Sequence, residues 1–138
     1  MTASDLATAR LVTEEGFRAN AYHDAVGKLT IGYGVCIDEG IREPAARSLL
    51  LAQVQERVAA LDTYWWYQPL DEVRKSVIID VSFNVGLAGL LHFPKMIAAL
   101  GASNWQAAHD ELLDSDAARL NVARYQKLAT ILLTGVNA

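Results

Sequence analysis

The sequence is poor in cysteine: it has one, Cys36, so no internal disulfide can form and the fold must be complete in a reducing compartment or be indifferent to redox state. It also lacks positive charge, because 12 Lys and Arg stand against 16 Asp and Glu, leaving a net charge of -4 and a pI near 5.3. Affinity for nucleic acid rests on clustered cations that release counterions, so a nucleic acid is not an expected partner. Long apolar runs are missing too. The most apolar stretch, Val85 to Phe93, is nine residues with two glycines and a histidine. A bilayer span needs about 20 apolar residues, so no stable membrane association is expected. The opening Met-Thr-Ala-Ser-Asp-Leu has neither the basic start nor the apolar core of a secretory signal, which makes folding in a cytoplasm the expectation. His23, His92 and His109 lie far apart with no paired ligand spacing near Cys36, so neither a metal nor another cofactor is expected. Internal repeats and low-complexity linkers are absent.

What is present suffices for one domain. A chain of 138 residues, 52% of them hydrophobic, buries roughly two-thirds of its unfolded surface in a single core. We expect a monomer. Ser4 reads as an N-cap, and Leu6, Ala9, Val12 and Thr13 recur at helical spacing until Gly16 stops the helix. Between Ala21 and Ile37 the pattern becomes that of a hairpin: Val26-Gly27 is a turn signal, and Thr30 to Val35 has the β-branched and aromatic residues of a strand. Gly32 and Gly34 weaken a strand interior; a close approach of backbone or ligand, a bulge, or simply a loosely held strand all fit them. After Glu43-Pro44, the residues Ala46, Leu49, Leu50, Val54, Val58 and Leu61 make one long helix over 44–61. Val73, Val77, Ile78, Val81 and Val85 then mark a helix apolar on most sides, which belongs at the centre. Short helices follow, starting near Pro94 and at Ser103 or Asn104, and Leu128, Ile131 and Leu132 give the last apolar face before Gly135.

The predicted fold is therefore α+β and mostly helical. A small antiparallel hairpin lobe, about 16–43, and a helical-bundle lobe, about 61–138 with the N-terminal helix, are joined by the long helix, with a cleft between the lobes as the natural ligand site. The run Tyr64-Trp65-Trp66-Tyr67 fits stacking on sugar faces in that cleft, or core packing at a helix junction, which is the commoner use of such a run.

The chemistry concentrates between Glu15 and Thr30. Glu15 falls at a helix end and Asp24 in the hairpin, and glycoside hydrolysis usually needs two carboxyl groups flanking one bond, an acid for the leaving oxygen and a base or nucleophile on the other face. A partly buried helix C-terminus, whose dipole presents negative charge, favours the protonated form such an acid needs. Glu14 is chemically identical, but neighbouring helix residues point about 100° apart and cannot both face one site. Acidic pairs are common in a chain with 16 of them, so spacing alone leaves open that Glu15 is an ion-pair partner and Asp24 a turn residue.

The segment resembles the phage T4-type lysozymes, the endolysin family in which a Glu-Gly pair ends the first helix and an Asp and a Thr follow in the hairpin. Here these are Glu15-Gly16, Asp24 and Thr30, with eight residues between the first carboxylate and the second and five more before the threonine. The run Thr30-Ile31-Gly32-Tyr33-Gly34 is similar to the family's strand, and weaker similarity continues through Phe83-Asn84-Val85-Gly86, Trp105, Arg124 and Thr134-Gly135. The resemblance implies a lysozyme-like fold and a muramidase cutting the β-1,4 bond between N-acetylmuramic acid and N-acetylglucosamine, with inversion. It makes Glu15 the proton donor, Asp24 the group that orients or deprotonates water, and Thr30 the holder of that water. Phe83 matches a cleft-lining, substrate-binding position, and Arg124 an arginine that pairs with the catalytic glutamate. It also implies a peptidoglycan glycan strand as partner, residence in the host cytoplasm before release to the wall, and dependence on a holin. Val35 stands where the family commonly has a histidine that makes an ion pair, so apolar packing is expected there instead. The Cys36 to Glu43 link is short, and the acidity differs from basic endolysins that cling to an anionic wall. The rival class is a non-catalytic wall-binding or phage structural module on the same fold.

Overall fold

The computed structural model describes residues 1–137, and the chain divides into two compact units, Met1–Leu49 and Leu50–Ala138, with the boundary inside a helix. Its architecture is mostly helical α+β with one small antiparallel sheet.

The first unit opens with α1, Ala3–Glu15. Its cap is Thr2 and not Ser4: the Thr2 hydroxyl accepts from the Asp5 N–H while the Asp5 carboxylate accepts from the Thr2 N–H, so two orphan donors are satisfied reciprocally. Ser4 lies already inside the first turn. Gly16, at φ 68°, ends the helix and turns the chain into β1, Arg18–His23. Strands β2, Leu29–Gly32, and β3, Val35–Cys36, complete a meander in the order β1-β2-β3. The single strand predicted through Val35 is thus folded back on itself. Gly32 and Gly34 take φ of 68° and 74°, backbone that a side chain resists, and so form a turn where β-propensity alone reads a continuous strand. In the resulting register Thr30 sits on the central strand, opposite Tyr22 on one side and Cys36 on the other. The first unit holds α1 together with this sheet.

Helix α2, Glu43–Leu61, carries the chain into the second unit, and tight turns over 62–70 lead to α3, Glu72–Leu90. Asp71 caps α3 by accepting from the Arg74 N–H. The expected central helix is there, with Val77, Ile78, Val81 and Ser82 buried, but Gly86 at φ 78° and ψ 162° breaks its regular course. Helices α4, Pro94–Gly101, α5, Trp105–Leu113, α6, Asp116–Leu120, and α7, Val122–Thr134, follow. Of the two caps proposed for α5, Asn104 is the one used, accepting from the Ala107 N–H. The core joins Leu61, Trp66, Tyr67, Val81, Leu112, Tyr125 and Leu132 among others, with the Tyr125 hydroxyl donating to Asn84 at 2.6 Å.

Candidate active site

Three of the sequence-predicted site residues, Glu15, Asp24 and Thr30, fall in the first unit, and all three are arranged about strand β2. Asp24 occupies the turn that precedes the strand. Its Oδ1 accepts from the N–H groups of Val26, at 3.0 Å, and Lys28, at 2.8 Å, while its own N–H donates to the Lys28 carbonyl. That is the turn function left open by spacing. It occupies one carboxylate oxygen, and no hydrogen bond among the described residues takes Oδ2. Thr30 is on the strand itself and only 4% exposed. Its hydroxyl donates to the Lys28 carbonyl at 3.0 Å, which leaves the oxygen lone pairs as acceptors.

Glu15 meets the other end of β2. Its carboxyl lies directly over Gly34: a Cβ built on that glycine would stand 2.5 Å from Glu15 Oε2 and 2.8 Å from its Cδ. A side chain at position 34 would push the carboxyl from this place, so the close approach anticipated for these glycines belongs to position 34. Gly32 meets nothing within 4 Å. The aromatic pair Phe17 and Tyr33, with ring centroids 5.6 Å apart, ties the segment just after Glu15 to the same turn. Glu15 is exposed, so the partial burial expected of the acid is not what the structure has. Helix α1 buries none of its residues.

Two flanking expectations also change. Val35 is 47% exposed, so it does not supply the packing expected in place of a histidine ion pair. The Lys28 ammonium instead pairs with Glu39 at 3.0 Å, and the Leu29 N–H donates to Asp38, so charges from the short link after β3 hold the sheet.

The second unit contains Phe83 and Arg124. Phe83 is half-buried, with the Arg57 guanidinium 5.4 Å from its ring centroid, outside the principal core. Arg124, expected to pair with the catalytic glutamate, makes an ion pair with Asp80: its Nε and Nη2 both reach Asp80 Oδ1, at 3.0 and 2.5 Å, joining α7 to α3. Sequence reasoning missed this partner. The available signal was an aspartate on a helix otherwise apolar on most sides, since a carboxylate in such company needs a cation. A cavity of about 510 Å³ in this unit carries both signs of charge, among them Lys95, Arg119, Glu111 and Asp116, and none of the predicted site residues lines it.

The aromatic run realises the core packing expected of it in part. Trp66 and Tyr67 are core, in edge contact at 6.2 Å, while Trp65 is 69% exposed.

A mostly helical α+β protein with one small antiparallel sheet, a Glu at the end of the helix before it and an Asp in the turn that precedes its central strand, has the build of the lysozyme-like class. The sequence model of the Phage lysozyme family matches residues 12–129, and the chain belongs to that family. A comparison with curated proteins gives no match. Membership makes the chain a glycosidase of the lysozyme type with peptidoglycan as its substrate.

Proposed function

We propose that the chain is an endolysin muramidase that hydrolyses the β-1,4 bond between N-acetylmuramic acid and N-acetylglucosamine with inversion. The observation that carries this reading is the disposition about β2: a Glu15 carboxyl seated on Gly34 beyond one end, and beyond the other an Asp24 carboxylate fixed through Oδ1 with Oδ2 left over. Glu15 protonates the glycosidic oxygen as the bond to the anomeric carbon breaks. A water held by the Thr30 hydroxyl oxygen attacks that carbon from the opposite face, and Asp24 Oδ2 orients it and takes its proton. Phe83 is the proposed substrate-facing aromatic. The setting we assign is lysis: the enzyme waits in the host cytoplasm, passes through a holin pore, and degrades the wall as a monomer.

Glu15→Gln keeps the shape over Gly34 and removes the proton. Clearing of outer-membrane-stripped walls should fall by about a hundredfold or more. Proton NMR of the first-formed anomer should show inversion. Undiminished clearing by the variant sinks the assignment of Glu15, and net retention of configuration sinks the role of Asp24. Wild-type protein that binds walls without releasing fragments would mark the non-catalytic module instead.

A further inference from the structure

The chain has three tryptophans, at 65, 66 and 105, and all three line one cavity of about 220 Å³ that lies wholly within the second unit. None of them takes part in the proposed reaction. Trp66 forms a fixed wall, buried and stacked on Tyr64 with ring centroids 5.6 Å apart. Trp65 is the unusual member. Its ring is mostly open to solvent, yet it is laid against the backbone of α4, where a Cβ at Gly101 would stand 2.5 Å from its Cη2 and 2.7 Å from its Cζ3. Glycine at 101 thus leaves room for the outer edge of an exposed indole against the end of α4. A large apolar side chain held outward in this way presents a ready surface at little ordering cost.

The polar groups at this cavity select what it takes. Asp71 keeps a half-exposed carboxylate, held by the Arg74 N–H and by Arg74 Nη1 at 2.8 Å. The same guanidinium lies 4.0 Å from the Trp105 ring centroid and donates to the carbonyls of Leu132 and Leu133. Asp71 and Arg74 therefore cancel each other's charge, and the cation position over Trp105 is already filled. A cationic ligand has no unpaired carboxylate to meet, and an anionic one has no free cation. What remains is flat aromatic surface beside spare carboxylate lone pairs and the exposed Ser103, a combination suited to a neutral ring with an apolar face and hydroxyl or amide donors on its edge. The volume is below the about 300–1,000 Å³ of sites that engulf a larger ligand, so it fits a single ring.

We propose that the Trp65–Trp66–Trp105 cavity is a second saccharide site that holds one N-acetylhexosamine ring of a glycan strand. The choice of sugar rests on the peptidoglycan reading; the site itself rests on the indoles, Gly101 and the Asp71–Arg74 pair. It gives an acidic protein, with a charge of -4, a hold on its substrate that needs no attraction to an anionic wall.

The test uses the full chain carrying Glu15→Gln and tri-N-acetylchitotriose as probe. Every indole of the protein is at this cavity, so tryptophan fluorescence reads it directly, and the indole N–H signals in a nitrogen-15 NMR titration separate the three residues. The expected result is a saturable change in which Trp65 and Trp105 move, weakened about tenfold or more in Trp65→Ala and partly restored in Trp65→Phe. Far-UV circular dichroism checks that both variants keep the wild-type helix content. Absence of a saturable change, an unaltered titration in Trp65→Ala, or displacement of the sugar by tetramethylammonium overturns the proposal. Failure of the catalytic reading is told apart by wild-type wall digestion: a protein that releases no fragments but retains the indole titration loses the enzyme assignment and keeps this site.

Discussion

Gly32 and Gly34 share a left-handed backbone and differ in what stands above them, which turns a pair of glycines into an experiment. Alanine at either position forces a side chain into a φ it resists and costs about 1–2 kcal/mol. At position 34 alone the added carbon collides with the Glu15 carboxyl. We therefore expect Gly32→Ala and Gly34→Ala to lower the melting temperature alike, and only Gly34→Ala to lower wall clearing well beyond what its stability loss explains. Equal loss of activity in both variants would remove Gly34 as the seat of the acid. Position 24 shows how far single residues were legible. Sequence spacing left a turn role and a catalytic role as alternatives, and the structure gives the turn to one carboxylate oxygen while leaving the other free. A residue type does not reveal that division, because it depends on which amides the backbone brings within reach.

Among the elements, helices with a clear start or stop residue and an apolar period were readable: α4 begins at Pro94, α5 is capped by Asn104, and α7 ends at a left-handed Gly135. The sheet was readable as to place but not as to strand number, because the turn between β2 and β3 depends on glycine φ angles that β-propensity ignores. The partner of Arg124 was hidden for a different reason. Asp80 lies 44 positions away in sequence, and nothing local in α3 says which face α7 will cover. The α3–α7 pair is checked by a double-mutant cycle with Arg124→Lys and Asp80→Asn. Arg124 uses two nitrogens on one oxygen, a geometry a lysine cannot copy, and both side chains keep some exposure, so a coupling of about 0.5–1 kcal/mol is expected. Strictly additive effects on unfolding would mean that the contact contributes nothing.

For the molecule as a whole, stability should fail on the alkaline side through its core phenols. Burial, and then the negative charges of Asp62 and Glu72, push the Tyr67 hydroxyl above its ordinary 10.0. Burial pushes Tyr125 the same way, with Arg124 opposing and Asp80 assisting. As pH rises past about 10, the unfolded chain releases these protons first, so the folded state binds more of them and unfolding becomes easier with each further rise. Denaturant midpoints should be level from about pH 7 up to that value and drop above it, and Tyr67→Phe should soften the drop. A midpoint indifferent to pH between about 9 and 11 would contradict the burial of both hydroxyls.

Helix α2 has one buried side chain in its 19 residues, Leu61 at the very end. Nearly all of its length is held by the helix's own amide-to-carbonyl ladder, with little tertiary packing to reinforce it. Its protons should trade with deuterium through fraying that leaves the rest of the fold standing, ahead of those in the middle of α3 or α7, whose interior turns must wait for a larger opening.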